Sequence, residues 1–117
     1  MINGNDFRAF QYNVLGLGSK LNGDVSFSGN TIITATIEGN VKMLNSAKLI
    51  LERDSKVTGK IEAFDLEIFG EVDGNIYSEG SVSIRSSAQV SGSITAKKLV
   101  IYPGAIVNTE ANSQTAP

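Results

Sequence analysis

Catalysis needs groups that move protons or attack a substrate, and this chain offers few. It has no histidine and no cysteine, which removes the commonest general base and the strongest side-chain nucleophile. Carboxylates remain. Glu62 with Glu67, or Glu71 with Asp73, are close enough in sequence to serve as the acid–base pair of a hydrolase or transferase. Carboxylates along a solvated face more often only solubilise it, so their place on the fold decides between the two roles. No Asp-x-Asp or glutamate cluster converges as a metal site would require. The lack of cysteine also excludes disulfides and thiolate metal sites and fits a reducing compartment. No catalytic residue, metal or cofactor is expected.

The elements that would position these groups are set by a repeat. The phrase aliphatic-x-Gly-x-aliphatic occurs five times, at Leu21–Val25, Ile37–Val41, Val57–Ile61, Val72–Ile76 and Val90–Ile94, with glycines 16, 20, 15 and 18 residues apart. So short a period cannot hold a strand and a crossover helix, which need roughly 30 residues. It can hold one coil of a β-solenoid, whose coils stack and bury a continuous core. Strand side chains alternate, so Val57, Gly59, Ile61 and Ala63 point inward while Thr58, Lys60 and Glu62 point outward. Each glycine then sits on the inward face, where a side chain would crowd a narrow lumen or a bend. A second strand follows at Leu49–Leu51, Leu66–Ile68, Val82–Ile84 and Leu99–Ile101. By the same parity Phe69, Arg85 and Tyr102 point outward from equivalent positions, a guanidinium between two rings.

The coils run over 21–36, 37–56, 57–71, 72–89 and 90–105, with a partial sixth from Ile106. In the first, Thr31–Thr34 supplies the second strand in a register that alternation does not set. The second is longest, and Glu52–Ser55 is expected to loop out on its rim. The chain therefore reads as all-β, a single-domain β-helix of about five to six short coils spanning 21–107. An N-terminal segment 1–20 and a polar tail 108–117 lack the repeat and are expected to be flexible.

Composition narrows the function classes. Net charge is −2 with acids and bases interspersed, so no basic stripe awaits nucleic acid. No apolar stretch reaches the ~20 residues of a membrane span, and no signal peptide is evident, which suggests a soluble cytoplasmic protein. Hexapeptide-repeat acyltransferases require a histidine base and a regular coil, and β-helical polysaccharide lyases build clefts from long loops; this chain has neither. An ice-binding face needs threonines in every coil, whereas Thr31, Thr34 and Thr36 fall in one.

The phrases Gly70-Glu71-Val72-Asp73-Gly74-Asn75-Ile76 and Leu99-Val100-Ile101-Tyr102-Pro103-Gly104-Ala105 resemble the bactofilin family, with the likeness extending over roughly residues 17–107. The resemblance implies a right-handed β-helix that polymerises without nucleotide into filaments lacking polarity. It also implies a scaffold in bacterial cell shape or in placing cell-wall proteins, often at the inner face of the cytoplasmic membrane. Family members commonly carry an aromatic two residues after the Gly-Ala pair; this chain has Val107. They often begin with a membrane-targeting segment, for which Phe7, Arg8 and Phe10 are the candidates here.

Physics supports a polymer independently. Each end of a solenoid exposes unpaired backbone groups around a slice of apolar core, and such edges template further pairing unless capped. The candidate end surfaces are Leu21, Val25 and Phe27 at one end and Ile101, Tyr102, Ile106 and Val107 at the other. The alternative is a non-polymerising binding scaffold that uses a lateral face bearing Phe69, Arg85 and Tyr102.

Overall fold

The computed structural model describes residues 12–16 and 18–113. Among them every regular element is a strand. In chain order these are β1 (Tyr12–Leu15), β2 (Lys20–Asn22), β3 (Val25–Ser28), β4 (Asn30–Ile33) and β5 (Thr36–Glu38). Next come β6 (Val41–Leu44), β7 (Lys48–Leu51), β8 (Lys56–Ala63), β9 (Asp65–Ile68) and β10 (Glu71–Ser78). The last four are β11 (Ser81–Ile84), β12 (Gln89–Ala96), β13 (Lys98–Ile101) and β14 (Ile106–Ser113).

All pairings are parallel, and they build two walls. Short strands stack in the order β1-β4-β7-β9-β11-β13. The other wall stacks β14-β12-β10-β8 and continues through β5 and β6, then β2 and β3. Chain that alternates between two such walls is a β-solenoid. Its register follows the repeat: Leu21 pairs with Ile37, Ile37 with Val57, Val57 with Val72 and Val72 with Val90.

Alternation gives the core. Val57, Ile61 and Ala63 are buried, while Thr58 and Lys60 are exposed. Ile33, Leu51, Ile68 and Ile84 form one fully buried column of the short-strand wall. The first coil has its register set by Thr31 facing Leu49 and Ile33 facing Leu51. Thr31 therefore points inward and is fully buried, its hydroxyl donating to the Gly29 carbonyl at 3.1 Å.

The reason for the glycines differs from lumen crowding. Gly74 pairs with Gly59 and Gly92 and has φ +150°, outside the range that side-chain-bearing residues favour. A Cβ there would land on the Gly59 carbonyl oxygen of the neighbouring coil. It would point along the stack, not into the lumen.

Corner lengths also differ from expectation. Glu52–Ser55 is a four-residue turn closed by the Ser55 amide donating to the Glu52 carbonyl at 3.0 Å. The same turn recurs at Arg85–Ala88 and Tyr102–Ala105, so it does not account for the long second coil. The surplus lies between β6 and β7, where Asn45 adopts φ +61°. That corner overhangs the one-residue corner at Phe64 and leaves a shallow groove lined by Lys42, Lys60, Tyr77 and Glu79.

The ladder extends beyond the repeat in both directions. β1, within the segment expected to be flexible, pairs with β4, and β14 carries the pairing to Ser113, into the expected tail. Main-chain hydrogen bonding needs no aliphatic motif, and for that reason the motif boundaries fall short of the ladder. Residues 1–11 and 114–117 lie outside the described residues.

Candidate functional site

The solenoid has two ends, and at both of them core columns are laid open. In the short-strand wall Ile101 stands in register with Ile84, yet Ile101 is 47% exposed where Ile84 is 0%. The side chain is a core residue by position and a surface residue because, among the described residues, no further coil covers it. Leu99, Ala105 and Val107 are likewise half-buried against the core. At the opposite end Leu21, Val25 and Phe27 occupy the same half-covered condition. Their partners one coil in, Ile37, Val41 and Met43, are buried.

Of the end residues expected from sequence, Leu21, Val25, Phe27, Ile101 and Val107 continue core columns. Ile106 does not. It pairs with Gln89 on the outer face, is 59% exposed, and flanks the opened slice. Tyr102 too lies outside the core, at the rim. Leu99 and Ala105 complete the C-terminal slice, and parity from Leu66 and Val82 marks Leu99 in the sequence already.

The lateral column forms as its spacing predicts. The Arg85 guanidinium lies 5.4 Å from the Phe69 ring centroid and 4.2 Å from that of Tyr102. Glu67 forms ion pairs on both sides, with Lys48 at 2.6 Å and Arg85 at 3.7 Å. Arg85 is thereby held between two rings and a carboxylate, a geometry that suits its planar, weakly hydrated cation.

The carboxylate pairs do not converge on a shared site. Glu62 lies on β8 of the long-strand wall and Glu67 on β9 of the short-strand wall, both facing outward. Glu62 accepts from Lys60 at 2.9 Å, and that hydrogen bond holds its pKa below the usual carboxylate value. A carboxylate kept ionised this way is a poor proton donor. Glu71 faces Lys56 at 4.0 Å, and Asp73 is exposed beside it on the same outer face. Among the described residues no group of three or more acidic, histidine or cysteine side chains could hold a metal ion. Nor is any helix there long and apolar enough to cross a membrane. The candidate membrane residues Phe7, Arg8 and Phe10 lie outside the described residues.

The sequence is similar to known proteins. A family model described as "Bactofilin: Polymer-forming cytoskeletal" matches residues 13–112. Among curated proteins the chain is similar to bactofilin BacO of Myxococcus xanthus (strain DK1622). The two are 30% identical over 92 residues, which make up 79% of this chain and 71% of that protein. No solved structure gives a significant match.

Proposed function

The chain belongs to the bactofilin family of polymer-forming cytoskeletal proteins, and on that premise we propose that it assembles end to end, without nucleotide, into filaments lacking polarity. The observation that carries this reading is the opened core column: Ile101 is 47% exposed in register with residues that are 0% exposed. Continuing the stack would bury Ile101, Leu99 and Val107 at one end and Leu21, Val25 and Phe27 at the other. Each fully buried aliphatic contributes ~1.5–3 kcal/mol, and the edge strands gain partners for their free backbone groups. No step in this assembly calls on a bound nucleotide or a titrating side chain, and catalysis has no part in it.

The filament serves as a scaffold in bacterial cell shape or in localising cell-wall proteins, in the cytoplasm at the inner face of the membrane. Phe7, Arg8 and Phe10 supply the membrane contact, two aromatic anchors around a cation suited to anionic headgroups.

Negative-stain microscopy of the purified chain in plain buffer, with no nucleotide or metal, tests the assembly. Filaments are expected. A strictly monomeric species at high concentration would sink the reading in favour of a solitary binding scaffold. Co-sedimentation with anionic vesicles tests the membrane contact, and binding that survives replacement of both Phe7 and Phe10 by serine refutes it.

A further inference from the structure

The groove at the corner between long and short strands is unfilled by the described residues. The overhang at residues 44–47 and the tight corner at Phe64 beneath it leave a space of about 910 Å³, within the range of sites that hold a ligand. Two rings line it, Phe64 and Tyr77, and Tyr77 is 44% exposed. Leu44, which ends β6 beside the overhang, is 40% exposed. Large apolar groups gathered on one corner mark a surface that gains by being covered. The charges around them are specific too. Lys60 lies 5.2 Å from the Tyr77 ring centroid and is paired with Glu62. Lys42 and Glu79, at the two ends of the groove, make no ion pair among the described residues.

We infer that this groove takes up residues 6–10 of the same chain, Asp6-Phe7-Arg8-Ala9-Phe10, in competition with the membrane. The competition rests on the membrane contact proposed above; the docking does not. Three observations select this occupant. The first is where the chain enters. Asn13 pairs with Thr31, Thr31 with Leu49 and Leu49 with Leu66, so Tyr12 stands at this same corner, three coils above Asp65. The second is reach. Three coils at ~4.8 Å span ~14 Å. Ala9 and Phe7 precede Tyr12 by three and five residues, and extended chain at ~3.3 Å per residue carries them ~10 and ~17 Å. Those distances are level with the overhang and with the Phe64 and Tyr77 rings. The third is chemistry. The segment brings one acid and one base beside two rings, and the groove offers Lys42 and Glu79 beside two rings.

Tethering sets how strong the contact must be. A segment joined this closely meets the groove at an effective concentration in the mM range. A contact of only about 1 mM affinity, which a shallow groove can supply, then fills it in most molecules. Occupancy of about two thirds leaves a third of the chains free to bind a membrane and weakens apparent vesicle affinity about three-fold.

The test exploits a chain without cysteine. Ala9→Cys with Ser46→Cys puts one thiol on the segment, keeping Phe7, Arg8 and Phe10, and one on the exposed overhang. Ala9→Cys with Thr58→Cys, exposed in the middle of the long-strand wall, is the control. After mild oxidation, mass spectrometry of the monomer band from a non-reducing gel reads closure within one chain. The Ser46 pair should close at least about five-fold more than the control, because tethering to the groove raises the local concentration of one thiol at the other. Adding Tyr77→Ser should remove most of that excess, with circular dichroism melts confirming the fold. Tyr77→Ser alone should bind anionic vesicles about three-fold more tightly than the parent. Equal closure of the two pairs overturns the docking, as does closure that Tyr77→Ser leaves unchanged. Cross-links found only between chains assign the groove to a second copy and overturn it as well. Docking accompanied by unchanged vesicle affinity in Tyr77→Ser overturns the competition. If neither parent nor variant binds vesicles, the membrane contact falls and the competition with it, while the cross-links still decide the docking.

Discussion

At Gly74 the position a Cβ would take is already filled by the Gly59 carbonyl oxygen of the adjacent coil, and the backbone φ of +150° disfavours a side chain besides. Both penalties attach to the first carbon of any side chain and depend little on the atoms beyond it. Gly74→Ala should therefore cost nearly as much as Gly74→Val, at about 1–3 kcal/mol or more. In a domain of this size that lowers the melting temperature by roughly 5–15 °C. A crowded lumen would instead spare alanine and penalise valine, and thermal melts of the two variants separate the mechanisms. A second residue-scale expectation concerns Glu62, whose carboxyl is held below its ordinary pKa first by the Lys60 hydrogen bond, and Lys60, whose pKa is raised first by the same bond. For the acid, the contribution exists above its unfolded pKa and is lost as pH falls through the lower folded value. For the base, it exists below 10.5 and is lost as pH rises through the higher folded value. The pair thus acts across the neutral range and fails at both extremes. In Lys60→Ala the Glu62 carboxyl resonance should titrate at higher pH than in the parent, and an unchanged midpoint would show that the bond does not persist in solution.

Strands with a strict period of two were legible from side chains alone. Val57, Ile61 and Ala63, then Leu66 and Ile68, could be placed inward because one slip would move every aliphatic to solvent. The end slices followed from the same parity, as did the stacking of Arg85 between Phe69 and Tyr102. Three features were out of reach, each for a physical reason. β1 carries Val14 and Leu15 but lacks the glycine phrase, so its place shows only once Leu15 is known to pair with Ile33, and the far half of β14 is held by main-chain pairing, which leaves no aliphatic signature. Ile106 could be taken for an end residue because apolarity says nothing of the face it occupies until Gln89 is known to be its partner. The surplus of the second coil could sit at either corner, since register constrains strands and leaves turns free. It sits at Leu44–Ala47, with Leu44, Asn45 and Ser46 exposed and Asn45 in the left-handed region. Deleting Asn45 and Ser46 shortens this corner to the two residues found at Glu79–Gly80. Removal of exposed turn residues, one of them in a costly conformation, should change stability by no more than about 0.5 kcal/mol. A loss of several kcal/mol would mean that the overhang supports the coils beneath it.

Considered whole, the molecule is a stack whose two ends are chemically different surfaces: Leu21, Val25 and Phe27 on one, Leu99, Ile101 and Val107 on the other. Two kinds of filament can be built from such a unit. If the chains run head to tail, every junction joins one end to the other. If the filament lacks polarity, junctions alternate, with each end meeting its own copy across a two-fold axis. Leu21→Arg and Val107→Arg each place a charge in one slice, where an unpaired charge removed from water is costly. In a head-to-tail filament either variant spoils every junction, so each alone is monomeric. Mixing them leaves one sound N-terminal and one sound C-terminal end, and a mixed dimer appears. In a filament lacking polarity each variant keeps one sound like-with-like junction, so each alone is a dimer. Mixing then adds nothing, because the two sound ends are of different kinds and do not join. Sedimentation velocity on the two variants, separately and combined, reads out the difference without any image of a filament. The proposed assembly requires dimers alone and dimers on mixing. Monomers that become dimers only when combined would show that the ends meet in the opposite sense.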